Sequence, residues 1–145
     1  MSKQDLGLRD VVEIQQLIGK YQWLVDDGEA EEWADLYTED GVFTGGSAGS
    51  VRGREHLQRV PRGVKMRWNG ALRHQCGSLH IERGTSDDEA IARYYNFVTT
   101  WADGVPKMFT FALSELRLVR QGEAWKIKEH HTELLAAPPA LGAKE

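Results

Sequence analysis

Between Asp10 and Val25 the apolar residues Ile14, Leu17, Ile18, Tyr21, Leu24 and Val25 recur every three or four positions. That is the period of an amphipathic helix with one stripe turned to a core, and Gly28 just beyond is a natural stop. A second helix is expected from Glu29 to Tyr37, after which Glu39-Asp40-Gly41 turns the chain into a short strand, Val42 to Thr44. Gly45 to Gly49 reads as a Gly/Ser loop. A basic helix from Arg54 to about Arg62 follows, interrupted near Pro61. The second half of the chain changes period and offers four long strands: Leu72 to Arg83, Glu89 to Trp101, Lys107 to Arg120 and Trp125 to Leu135. The connections Gly84–Asp88, Ala102–Pro106 and Gln121–Glu123 carry turn chemistry, so consecutive antiparallel pairing is the economical reading. Helices first and strands afterwards are the order of an α+β domain.

The third long strand is apolar on both faces. Phe109, Phe111 and Leu113 line one, and Thr110, Ala112, Ser114 and Leu116 the other. Helices covering one side would leave the aromatic side bare, and such a patch usually marks a subunit interface. A homo-oligomer, dimer or trimer, is therefore expected.

Composition narrows the function classes. The chain has 145 residues, 41% of them apolar, and a net charge of −4, which suits one soluble domain over residues 1–135 with a tail over 136–145. No basic stripe suggests nucleic acid, and no apolar run suggests a membrane span. The single cysteine, Cys76, rules out a disulfide framework within the chain and points to a reducing cytoplasm. There is no phosphate loop, dinucleotide fingerprint or paired C-x-x-C, and the histidines and carboxylates show no recurring metal-ligand spacing. No cofactor and no metal are expected, so any chemistry must come from side chains.

Asp26 is the residue that breaks a local rule. It sits in the last turn of the first helix, where the dipole disfavours a carboxylate. Its neighbour Asp27 can cap the next helix, but Asp26 has no such excuse. An uncompensated local conflict is where a functional residue should be sought.

The runs Ile14-Gln15-Gln16-Leu17, Val25-Asp26-Asp27-Gly28 and Trp33-Ala34-Asp35-Leu36-Tyr37-Thr38-Glu39-Asp40-Gly41-Val42-Phe43 resemble the opening of SnoaL-like domains in the nuclear transport factor 2 superfamily. His74 at the start of the first long strand, and Gly122-Glu123-Ala124-Trp125-Lys126-Ile127 entering the last, are similar to the same pattern over roughly residues 8 to 135. The resemblance implies a cone-shaped α+β barrel, in which three N-terminal helices pack into a strongly curved mixed or antiparallel sheet around an apolar pocket. It also implies a reaction type. Dehydratase and dehydrochlorinase branches of the family use an aspartate at the end of helix one with a histidine from the first long strand, and Asp26 and His74 fall on those positions.

A carboxylate bonded to one imidazole nitrogen fixes the tautomer and leaves the other nitrogen as an acceptor facing the pocket. Tyr21 matches a pocket tyrosine of some family dehydratases and is the first donor candidate. Five residues of ideal helix nevertheless put it about 140° around from Asp26. On the last strand two counts conflict: alternation from Trp125 and Ile127 turns His131 inward, whereas the family match turns His130 inward. A bulge between them would reconcile the counts, and His130 is favoured. His80 reads as a surface or interface histidine. The basic segment Arg52, Arg54, Arg59, Arg62, Lys65, Arg67 and Arg73 reads as a solvated face that could also draw in an anionic or coenzyme-A-linked substrate.

Two departures touch the electrophilic side of the site. The first short strand reads Phe43-Thr44-Gly45-Gly46, where family dehydratases often carry another tyrosine. The second long strand offers Tyr95, Phe97 and Thr99, where some carry an acid or a histidine. Trp23, Phe43, Leu72, Tyr95, Phe97, Thr110, Ala112 and Ser114 are expected to line the pocket, which suits a steroid-like, terpenoid or polyaromatic ligand. The sequence reading is a cofactor-independent lyase or isomerase with an Asp26–His74 base. The competing reading is a binding or assembly domain with the same pocket and no turnover.

Overall fold

The stripe on the first helix continues to its end. The computed structural model describes residues 6–45 and 49–136. In it helix α1 runs Leu8–Asp27 and buries Ile14, Leu17, Ile18, Tyr21, Gln22, Val25 and Asp26. Gly28 closes it in the left-handed region at φ 74°, its N–H reaching the carbonyls of Leu24 and Val25, a conformation glycine adopts without cost. Asp27 does not cap the next helix. It receives a hydrogen bond from Arg73 at 2.8 Å, and helix α2, Ala30–Asp35, begins without a side-chain cap.

The second helix is shorter than expected because Tyr37 already belongs to strand β1, Tyr37–Gly45, paired with Ile127. The expected turn Glu39-Asp40-Gly41 is absorbed into β1 as an irregular register between Tyr37 and Val42. Strand β2, Gly49–Arg52, pairs antiparallel with β1, Gly45 opposite Gly49. The basic helix is split into α3, Arg54–Leu57, and α4, Arg59–Trp68. The break falls at Gln58 rather than Pro61, because proline in the first turn of α4 lacks only an N–H that would be unpaired anyway.

The long strands lie where the alternation puts them: β3 Leu72–Arg83, β4 Glu89–Thr100, β5 Lys107–Gln121 and β6 Ala124–Ala136. The sheet order is β2-β1-β6-β5-β4-β3; β1 and β6 run parallel and every other pair is antiparallel. Bulges bend it. Ser78 sits at φ 52° within a register shift of β3, and further shifts occur in β5 and β6; extra residues of this kind increase twist and curvature. Helix α1 lies in the concavity against β3 and β6 and is flanked by α4. The result is a curved mixed six-stranded sheet around helices, an α+β cone. Among the described residues no helix is long and apolar enough to cross a membrane.

Strand β4 corrects the sequence reading. Its inward residues are Ala90, Ala92, Tyr94, Asn96, Val98 and Thr100, all buried. Tyr95 and Phe97 point outward, where their rings lie 5.5 and 5.1 Å from Phe111. They do not line the interior, because side chains alternate along a strand and the interior phase belongs to Ala90, Ala92, Tyr94, Asn96, Val98 and Thr100. Phe109 leaves the outer row as well. It is the extra residue of a bulge opposite Val98 and Thr99, and its ring meets Trp68 at 4.9 Å. The segment Pro138-Pro139, which by sequence could reach across a neighbouring pocket in an oligomer, lies outside the described residues.

Candidate active site

The carboxylate that breaks the dipole rule is compensated by β3. Asp26 is 3% exposed. Its Oδ2 accepts the backbone N–H of His74 at 2.9 Å, and its Oδ1 lies 2.6 Å from His74 Nδ1. Two donors from one residue satisfy a buried anion that would otherwise be costly. Because an ionised carboxylate can only accept, Nδ1 carries a proton, and in the neutral ring Nε2 is then the acceptor. Nε2 makes no hydrogen bond among the described residues, and the His74 side chain is 19% exposed. His74 pairs with Val98 across the strands, whose side chain is buried in the core, so the imidazole faces the interior rather than the outer surface. The arrangement is an imidazole oriented by a buried carboxylate at the end of a helix.

A second polar network lies deeper. Tyr21 Oη is 2.6 Å from Tyr37 Oη and 2.6 Å from His130 Nδ1. His130 Nε2 is 3.0 Å from Ser114 Oγ and 2.9 Å from Thr132 Oγ1. Burial, and then the nearby charges of His74 and His131, push the His130 imidazole down to about 3, so it is neutral at physiological pH and serves as one donor and one acceptor. Whichever way the protons run, the single Tyr21 O–H is committed to Tyr37 or to His130. Burial also raises the Tyr21 and Tyr37 phenols well above their ordinary range, so both remain protonated.

The bulge that turns His130 inward lies upstream of both histidines. Leu118 pairs with Ile127 and Arg117 with Glu129, so Lys128 is the extra residue and the parity set by Trp125 and Ile127 shifts by one. His131 is exposed. With Leu113, Glu115, Arg117, Glu129 and Glu133 it lines a concavity of about 240 Å³ on the outer face, away from Asp26 and His74.

The other expected site residues divide. Leu72, Ala112 and Ser114 are buried inward, and Thr110 is half-buried opposite Val98. Phe43 meets Trp33 at 6.1 Å and His130 at 5.1 Å. Trp23 is 66% exposed, off the buried stripe of α1, with the Arg73 guanidinium 5.6 Å from its ring centroid. His80 is exposed beyond the β3 bulge.

Sequence reasoning missed Tyr37, which supplies an inward hydroxyl near the start of β1, and the buried pair Gln22 and Asn96, joined at 3.1 Å. Helical spacing could have found Gln22, four residues before Asp26 on the same face. Counting β4 from its small residues could have found Asn96. Among the described residues no three His, Cys, Asp or Glu side chains converge as a metal site.

A cone of this topology, holding an inward Asp–His pair, defines a class of domain, and comparison supplies the family. The SnoaL-like domain model matches residues 7–131, and the chain belongs to that family. Its fold is shared with a nuclear transport factor 2-like protein of cystatin-like fold from Novosphingobium aromaticivorans, at 22% identity over 91% of this chain and 86% of that one, with a TM-score of 0.80. A second protein of that organism, provisionally assigned as a scytalone dehydratase, matches at 18% identity, 95% and 97% coverage and a TM-score of 0.75. A Catenulispora acidiphila protein in complex with S-DNPA matches at 26% identity, 88% and 95% coverage and a TM-score of 0.74. No curated protein matches the sequence.

Proposed function

We propose that this chain is a cofactor-independent lyase or isomerase of small hydrophobic molecules, in which His74, oriented by Asp26, removes an acidic proton from carbon. The observation that carries the reading is the double engagement of His74 by one buried carboxylate, which leaves Nε2 as the free acceptor. In a β-hydroxy carbonyl substrate, Nε2 would take the proton next to the carbonyl. The C–H electron pair becomes a carbon–carbon π bond and the carbonyl π pair moves onto oxygen. Collapse of that enolate expels the β-hydroxyl, which leaves as water with the proton now on His74. Returning the proton to a different carbon instead would migrate a double bond. The provisional dehydratase assignment of one structural relative agrees with this chemistry.

The test needs no natural substrate. Deuterium exchange at the α-carbons of 2-tetralone, followed by NMR, reads proton abstraction alone. Wild type should accelerate exchange over buffer. Asp26→Asn keeps an oxygen for the His74 backbone N–H but turns an NH₂ toward Nδ1, which favours the tautomer with Nε2 protonated. The lost charge-assisted bond, about 1.5–3 kcal/mol, corresponds to roughly 10–100-fold slower exchange. Binding of 2-tetralone without any exchange would favour the non-catalytic reading.

Self-association through the outer sheet face belongs to the same proposal. Phe111 there carries Tyr95 and Phe97 against it, with Tyr95 40% exposed, so a second copy would cover aromatic surface. Light scattering should find particles larger than one chain, and Phe111→Glu should release monomers by placing a charge in the interface. A monomeric wild type at micromolar concentration contradicts it.

A further inference from the structure

Beside the Tyr21–His130 and Asp26–His74 contacts, a further buried polar bridge joins α1 to the inner face of the sheet. Gln22 lies one turn before Asp26, and Asn96 lies two residues before Val98, the strand partner of His74. Gln22 Nε2 donates to Asn96 Oδ1 at 3.1 Å, and each side chain is 6% exposed. One helical turn is about 5.4 Å and two strand residues about 6.6 Å, so this bridge runs beside the Asp26–His74 contact. A ketone whose α-carbon met His74 Nε2 would carry its oxygen toward the amides.

The direction of the Gln22–Asn96 bond decides what this bridge can offer. It engages the Asn96 oxygen and leaves the Asn96 NH₂ with no partner among the described residues. Of the other inward donors three are taken or closed off, while the Thr110 hydroxyl opposite Val98 and the second N–H of Gln22 are not engaged among the described residues. Tyr21 is held between Tyr37 and His130. The Tyr94 hydroxyl and the Trp33 indole N–H are sealed from solvent-accessible space and make no hydrogen bond within the described structure.

We infer that the Asn96 side-chain amide, oriented by Gln22, donates the hydrogen bond that holds the carbonyl oxygen of an enolisable ketone while the Asp26–His74 pair works on the adjacent carbon. This rests on the base role proposed for His74. It names the substrate class, carbon acids activated by a carbonyl, and it makes Gln22 a positioning residue. As the proton passes to Nε2, negative charge collects on the ligand oxygen, and a fixed donor there binds the enolate more strongly than the ketone.

The experiment compares 2-tetralone with tetralin, which has the same rings and no oxygen. Asn96→Leu should slow α-proton exchange about 10²-fold and weaken 2-tetralone binding while tetralin binding, read by NMR line broadening, stays the same. Gln22→Met frees the amide to rotate and should slow exchange about tenfold, again without altering tetralin binding; it carries the test if Asn96→Leu does not fold. Wild-type exchange rates in both variants, with exchange still lost in His74→Gln, overturn the amide role and leave the base intact. Wild-type protein that gives no exchange above buffer overturns both.

Discussion

His74→Gln should fold as the parent does and lose about 10²–10⁴ of its α-proton exchange rate, equivalent to roughly 3–5 kcal/mol of barrier. Glutamine is the informative replacement because its amide can still donate to Asp26 and keep the buried carboxylate satisfied. Alanine would strip that carboxylate of one of its two partners and cost about 1–3 kcal/mol of stability besides, confusing lost chemistry with lost structure. Exchange rates at saturating 2-tetralone, with urea midpoints alongside, separate the two. A folded His74→Gln protein that exchanges as fast as wild type would remove the base from the mechanism.

Acidification should weaken the fold through His130. Its imidazole is held down to about 3 by burial first and by the neighbouring histidine charges second, whereas an unfolded histidine titrates near 6.5. Between those values the unfolded chain binds a proton that the folded chain refuses, so stability is present above the unfolded value and is lost as pH falls toward 3. Roughly 3 kcal/mol should disappear between about pH 6.5 and pH 4. His130→Gln, which cannot titrate, should lose less over the same interval, and subtracting the two urea series cancels the contribution of every other group. Parallel curves would mean that His130 is not buried among Tyr21, Ser114 and Thr132.

Where local period and tertiary demand agree, the fold is legible in the chain. The stripe Ile14, Leu17, Ile18, Tyr21 and Val25 does become the buried face of α1, and the turn chemistry after Arg83, Thr100 and Gln121 does separate the long strands. What local pattern cannot carry is an extra residue. Lys128 and Phe109 each interrupt an otherwise regular alternation, and nothing in composition distinguishes a bulged residue from a paired one. The aromatic residues of β4 illustrate a second limit. Large apolar side chains look like interior, yet a cone leaves its convex face free for them, and the inner phase goes to Ala90, Ala92, Tyr94, Asn96 and Val98.

Asp26 is visible in the sequence because it violates the dipole preference without local compensation, and the compensation comes from β3, distant in sequence. His74 is legible only through family likeness, since one histidine at a strand start signals little by itself. The Gln22–Asn96 bridge is invisible for the opposite reason. Amides break no local rule in a helix or a strand, and only the register that sets Asn96 two residues from the partner of His74 gives the pair meaning.

The central claim is that Asp26 holds His74 with Nδ1 protonated and Nε2 bare. Nitrogen-15 spectra of the His74 ring in mildly alkaline buffer read that state without any substrate. The expected result is a protonated Nδ1 hydrogen-bonded to a carboxylate beside an Nε2 with the shift of an unprotonated ring nitrogen, the two exchanging identities in Asp26→Asn. A wild-type ring with its proton on Nε2, or one whose tautomer ignores the Asp26 substitution, would contradict it.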